Sequence, residues 1–258
     1  MKTKLFLSFA VLLCLYSVSP AQQTKKESRA VKRQPRKVAV VAVPPLICID
    51  PGHPSEVSSG GELQNGTSEV RIAWEVALKL REMLEERGLR VLLTKESESQ
   101  LVENRERASI ANRARAALMI RLHCDASADE GYAVYYPDRQ GTTQGATGPA
   151  PRIIEASRRA AEAIHAGMLP ALGDVLKDGG VRGDSKTLIG SQQGALTGSI
   201  FSEVPVVTIE MVVLSNAADA EFIKREEGQQ QMARAIADGV AAFVQSTLAS
   251  SPRGGKRQ

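Results

Sequence analysis

Two histidines in this chain stand at the ends of apolar runs, a placement that suits metal-assisted hydrolysis. Ile47-Cys48-Ile49 leads into Asp50-Pro51-Gly52-His53, where Asp-Pro-Gly breaks the run into a turn. Ala117-Leu118-Met119-Ile120-Arg121-Leu122-His123 repeats the arrangement, and the chain holds only three histidines. Imidazole is the commonest protein metal ligand. A hydrolytic zinc takes three protein ligands and keeps one position open for water, with two histidines and a carboxylate as a usual set. His53 and His123 are candidates for two of them; capping or hydrogen-bonding surface histidines are the alternative.

The third ligand must be a carboxylate or the remaining histidine. His165 lies between Ala163-Ile164 and Ala166 in a helical stretch, where it reads as a surface or packing residue. Glu69 is the better candidate, because it begins a helix that follows the His53 loop and can turn back toward the strand edge. A first-turn glutamate favoured by the helix dipole would look the same. The chemistry also needs a base to take a proton from water and return it to the leaving amine. Glu210 ends the apolar run Val204-Pro205-Val206-Val207-Thr208-Ile209, which carries its carboxyl into a largely buried place. Burial raises a carboxyl pKa toward the range useful for a base. A salt-bridged structural glutamate is the competing reading.

The elements that must position these groups alternate between strands and helices. Strands are expected over 44–49, 89–94, 117–123, 131–136 and 204–211, with the 131–136 strand a candidate for an edge place. Ile72, Val76, Leu80 and Leu84 recur at helical spacing, and Gly88 caps that helix. Polar helix 101–115 turns Ala108, Ile110 and Ala111 inward. A further helix spans 153–169, bent or ended at Pro170, and Met232, Ile236, Val240 and Phe243 mark a closing one. Segments 55–66 and 138–150 read as loops. The pattern implies an α/β fold: a single three-layer domain with a mostly parallel central sheet flanked by helices. In open sheets of this kind ligands collect at the carboxyl ends of the strands. GxGxxG and GxxxxGK motifs are absent, which argues against a nucleotide enzyme.

The ends differ in character from the middle. Residues 1–21 read as a secretory signal, with Lys2 and Lys4, the apolar core Leu5 to Leu15, and small residues at Ser19-Pro20-Ala21. An uncleaved N-terminal anchor is the alternative. Residues 22–38 form a basic segment of net charge +6 that is expected to be disordered, and the tail 251–258 adds +3. With +2 in the signal and +4 overall, residues 39–250 carry −7 and are the expected catalytic domain. Basic tails on an exported acidic domain suit anionic envelope polymers. The acidic domain and the 4% aromatic content disfavour nucleic-acid binding. Outside the signal only Cys48 and Cys124 remain, read as buried free thiols rather than a disulfide framework.

These pieces, in order, resemble the zinc-dependent N-acetylmuramoyl-L-alanine amidases of type 3, which cleave bacterial peptidoglycan. The resemblance runs from about Leu46 to Phe243. It is carried by Ile49-Asp50-Pro51-Gly52-His53, by Glu69 and its helix, by Arg107-Ala108-Ser109-Ile110-Ala111-Asn112, and by Leu122-His123-Cys124-Asp125-Ala126. Gly180-Val181-Arg182, Val207-Thr208-Ile209-Glu210 and Leu214-Ser215-Asn216 complete the series. It implies zinc held by His53, Glu69 and His123, Glu210 as the catalytic glutamate, and peptidoglycan as substrate, in the periplasm or cell envelope. Asp50 and Asp125 are candidate acceptors for the ligating imidazoles, and Arg121 and Asn216 are candidate substrate contacts.

The chain departs from that pattern at several points. Pro54-Ser55 replaces two glycines, Val212-Val213 replaces a Gly-Phe pair, and Lys95 replaces an arginine. Arg121 stands where a serine commonly precedes the second histidine by two. None removes a ligand. A zinc peptidase cutting within the stem, or a wall-binding protein without activity, are the rival readings. A monomer is expected, with no helical plug between the 131–136 strand and the 153–169 helix.

Overall fold

The computed structural model describes residues 43–250; the signal, the basic segment 22–38 and the tail 251–258 lie outside the described residues. In chain order the elements are β1 (Leu46–Pro51), α1 (Glu69–Glu86), β2 (Arg90–Leu93), α2 (Asn104–Arg113), β3 (Leu118–Asp125) and β4 (Tyr132–Tyr136). A small hairpin follows, β5 (Gly141–Thr143) and β6 (Ala146–Gly148), then α3 (Pro151–Leu172) and β7 (Asp178–Gly183). Two short helices, α4 (Leu188–Gln193) and α5 (Thr197–Ile200), precede β8 (Val206–Val213), α6 (Ala217–Lys224) and α7 (Glu226–Ser250).

The main sheet has six strands in the order β2-β1-β3-β8-β4-β7. All neighbours are parallel except β4 and β8. The α/β, mostly parallel expectation therefore holds. β4, however, is not at the edge: it lies between β8 and β7 and runs against β8. The edge belongs to β7, whose sequence Asp178-Gly179-Gly180-Val181-Arg182-Gly183 has no apolar alternation to reveal a strand.

Side-chain alternation sorts the central strands into two faces. Ile47 and Ile49 of β1, Ile120 and Leu122 of β3, and Val207 and Ile209 of β8 join the large core beneath α1, α3 and α7. The opposite parity faces α2 and is arranged in registered rows. Cys48, Met119 and Val206 form the first row and pack with Ala111 and Ala116. Asp50, Arg121 and Thr208 form the next, and His123 and Glu210 pair in the row beyond, at the carboxyl edge. This face thus runs from apolar through ionic to the candidate chemistry within a few residues of strand.

Three other differences from expectation have local causes. Segment 138–150 contains the β5–β6 hairpin, closed by Gln144 and Gly145, both at positive φ (49° and 75°). Positive φ at both central residues is the turn that matches strand twist, but three-residue strands are too short to show periodicity. Helix α3 runs through Pro170 to Leu172, so the proline does not end the helix at 169, although it removes one N–H donor near the C-terminus. Helix α6 is too short for an apolar stripe and announces itself only by its cap, Asn216.

Candidate metal centre and active site

His53 leaves β1 at positive φ (54°), in a turn tied to β3 by Gly52 N–H donating to the Leu122 carbonyl at 2.8 Å. Glycine is required at 52, because a Cβ there would lie 2.7 Å from the His123 ring. The two imidazoles consequently stand edge to face, with centroids 5.3 Å apart. Glu69, the first residue of α1, places its carboxylate between them. Oε1 lies 2.8 Å from His123 Nδ1 and Oε2 lies 3.2 Å from His53 Nε2. Cys124 N–H also donates to Oε1 at 3.3 Å.

The donor chemistry of this triad asks for a cation. The Ser58 carbonyl, which can only accept, takes His53 Nδ1–H at 3.1 Å. In the neutral ring that leaves the Nε2 lone pair directed at a carboxylate oxygen. Ligand atoms of His53, Glu69 and His123 all lie within 4.8 Å of one another, so one ion can reach all three. Among the described residues no other group of His, Cys, Asp or Glu is so arranged. His165 is elsewhere, its Nε2 2.7 Å from Asp178. Burial by itself would raise the Glu69 carboxyl, but the adjoining His123 and His53 imidazoles outweigh it and hold the group below the usual carboxylate range.

Glu210 faces this triad from the neighbouring strand, in register with His123. Its Oε2 and the Nε2 of His123 are buried without a hydrogen-bond partner. Burial, and then the charges of Glu69 and Asp125, push the Glu210 carboxyl well above its ordinary range, with Arg121 opposing. A cavity of about 480 Å³ opens over His53, His123 and Glu210. Its walls come from Ser55–Val57, from the β5–β6 turn, and from Thr187–Thr197. That third wall was not legible in the sequence. It is pinned by Asp184, whose Oδ2 accepts from Leu196 N–H at 3.2 Å, and by Asp138, which accepts from Ser185.

A model of the N-acetylmuramoyl-L-alanine amidase family matches residues 47–242. The chain belongs to that family. An N-acetylmuramoyl-L-alanine amidase of Mycobacterium tuberculosis is 27% identical over 194 residues, covering 72% of this chain and 73% of that one. The amidase AmiC of Neisseria meningitidis is 25% identical over 232 residues, 79% of this chain; the match spans about half of that protein, 54%. Among solved structures, the catalytic domain of the amidase CwlV from Bacillus (Paenibacillus) polymyxa is 25% identical at a TM-score of 0.62, over 78% of this chain and 98% of that one. The amidase AmiC2 of Nostoc punctiforme shares the fold at a TM-score of 0.63 and 23% identity, over 78% and 97%.

Beneath the triad of this amidase lies a buried ionic cluster that corrects the expected role of Asp50. Its Oδ1 accepts from Arg107 at 2.6 Å and from Thr94 at 2.5 Å, and its Oδ2 accepts from Arg121 at 2.9 Å. Asp50 thus holds arginines and no histidine; the acceptor for His53 is the Ser58 carbonyl. Asp125 serves neither ring: it accepts from Ala126 N–H and the Ser127 hydroxyl at the end of β3. Asn216 caps α6, accepting from Ala218 and Asp219 N–H, and it does not line the cavity. Arg121 does line the cavity. Lys95 donates to the carbonyls of His53 and Glu98, which fixes the His53 turn from below. Burial, then the nearby Arg107 charge, lower its pKa to about 8. Cys48 and Cys124 are buried and free, as expected.

Proposed function

We propose that this amidase hydrolyses the amide joining the lactyl group of N-acetylmuramic acid to the L-alanine of the peptidoglycan stem, with zinc at His53, Glu69 and His123 and with Glu210 as general base and acid. The observation that carries the reading is the Glu69 carboxylate shared by two imidazoles that line a cavity, with an unpartnered carboxyl oxygen of Glu210 on the same cavity. When bound, a zinc ion supplies Lewis-acid polarisation of a carbonyl and acidifies water. Glu210 takes the proton of the attacking water and passes it to the departing amide nitrogen. Its burial favours the protonated form, so the carboxyl can hold that proton between the two steps. Glu69 and the Ser58 carbonyl keep both rings aimed.

Digestion of purified peptidoglycan by the full chain, followed by mass spectrometry, tests the bond that is cut. Free stem peptides with an N-terminal alanine are expected; shorter peptides cut within the stem would overturn the assignment. Elemental analysis should find one zinc per chain, lost in His123→Ala; full zinc content in that variant would refute the ligand set.

Export to the periplasm or cell envelope is part of the proposal, since the substrate lies there and residues 1–21 have the composition of a signal. No described helix is long and apolar enough to cross a membrane. The basic segment 22–38 is proposed to tether the domain to anionic envelope polymers. Its removal should weaken sedimentation with cell walls at low salt and leave turnover of a small muropeptide unchanged. Equal wall binding with and without it would reduce it to a spacer.

A further inference from the structure

We infer that Arg121 makes the inner end of the cavity a carboxylate subsite, which reads the second residue of the stem peptide. The inference rests on the function proposed above and adds a substrate preference to it. Arg121 is only 4% exposed, yet it lines the cavity beside Thr208, one row inward from His123 and Glu210. Its position is fixed on two sides. Nε donates to Asp50 Oδ2 at 2.9 Å and Nη2 donates to Asn104 Oδ1 at 2.7 Å. Asn104 is itself anchored by Glu56, which accepts from its backbone and side-chain N–H groups. Nη1 has no hydrogen-bond partner among the described residues. Gly198 packs against the guanidinium, where any Cβ would lie 3.0 Å from Nη1 and Cζ, so a larger residue there would press on the group.

Charge points the same way. Arg107 spends its donors inside the protein, on Asp50 and on the carbonyls of Pro51, Pro54 and Val102. Asp50 therefore answers two guanidinium groups with one carboxylate. The surplus positive charge lies at the open edge of Arg121. Of the acids nearby, Glu56 is engaged with Asn104 and Glu69 with the histidines, while Asp184 feels the Arg121 charge with one oxygen on Leu196 N–H and the other buried without a partner. Glu210 carries the proton-transfer role. A guanidinium with a free edge at the inner end of a cavity favours a carboxylate over a neutral group.

The spacing fits the stem. Residues 121 and 123 lie on one face of β3, separated by roughly 6.6 Å at the usual strand rise. In an extended stem the carboxyl carbon two residues past the scissile carbonyl is about 7 Å away. That second residue is a glutamate joined through its γ-carboxyl, so its α-carboxyl projects free, or as a carboxamide where the wall is amidated. With the scissile carbonyl over the triad, the α-carboxylate falls over Arg121 and Thr208.

The test compares paired ligands that differ only in this group. Calorimetry on the zinc-loaded full chain measures binding of L-alanyl-γ-D-glutamate and of its α-carboxamide, and soluble muropeptides of both kinds give kcat/KM. The wild type should favour the carboxylate by about tenfold or more in each measurement. Arg121→Gln should bring the ratio close to one, and Arg121→Lys should keep part of it. Melting curves and zinc content establish that the variants are folded and loaded; if Arg121→Gln does not fold, the wild-type and lysine ratios carry the decision. A wild type that treats the two ligands alike, or a glutamine variant that keeps the preference, overturns the inference. If neither muropeptide is cleaved the catalytic reading fails, while the two affinities still decide the subsite.

Discussion

Two polar clusters share the α2 side of the sheet, one row apart, and they differ in how completely they are satisfied. In the inner cluster Asp50 is fully buried with both carboxylate oxygens occupied, by Thr94 and Arg107 on one and Arg121 on the other. In the outer cluster three ligand groups crowd within 4.8 Å, while His123 Nε2 and Glu210 Oε2 are buried with nothing to bind. Leaving a buried polar atom unpaired costs about 1–3 kcal/mol, so native proteins keep such atoms few. The inner cluster holds the strands and the His53 turn together. The outer one retains unused bonding capacity at the groups that would do the chemistry, whereas the inner one retains it only at the Arg121 edge.

The largest effect that would sharpen this contrast is on the inner cluster. Asp50→Ala leaves two buried guanidinium groups without their carboxylate and should destabilise the fold by about 3–5 kcal/mol. Urea melts of the variant and parent measure it, and a loss near zero would break the comparison. The pH dependence has a definite sign. Burial would raise the Asp50 carboxyl, but the Arg107 and Arg121 charges outweigh it and hold it below its ordinary value. Its contribution to stability is therefore complete above the unfolded carboxyl's pKa, near 4, and is lost as pH falls below that toward the lower folded value. Between pH 4 and pH 2 the parent should lose stability more steeply than Asp50→Asn.

The outer cluster should respond in the opposite way. Glu210→Gln keeps the shape but cannot accept the proton, so hydrolysis should fall by roughly 10²-fold or more. Stability should not fall, because the amide keeps the shape and neutrality of the buried, protonated carboxyl that it replaces. Zinc content should also remain. An active Glu210→Gln enzyme would make Glu210 structural and would erase the functional difference between the two rows.

How much of this was legible in the sequence follows from the range of the signals. Ile47-Cys48-Ile49 and Val206-Val207-Thr208-Ile209 are buried on both faces, so unbroken apolar runs gave the strands, and the residues that end them were visible as site candidates. The helix with Ile72, Val76, Leu80 and Leu84 was equally plain, since its apolar stripe packs on the sheet. Asp50 was mistaken for a partner of histidine because nearness in sequence to His53 said nothing of Arg107, 57 residues away. The wall from Thr187 to Thr197 was missed because its helices have six and four residues. Segments that short carry no period, and Asp138 and Asp184 hold this one by contacts remote in sequence.

The smallest effect concerns Asn216, which the sequence offered as a substrate contact and which lies in neither row. Its side chain accepts from Ala218 N–H at 2.9 Å and from Asp219 N–H at 3.2 Å, an N-cap for the short helix α6. That helix matters to the sheet, because buried Asp219 accepts from Gly131 and Val213 N–H and so joins the start of β4 to the end of β8. Asn216→Ala should cost about 1 kcal/mol of stability, the ordinary value of a lost cap. Asn216→Ser keeps a capping oxygen and should recover most of that loss. Because Asn216 does not line the cavity, kcat/KM on a soluble muropeptide should be the same for the parent and for both variants. If serine restores stability while activity stays low, the amide touches substrate as well, and the boundary of the site must be redrawn to include the start of α6.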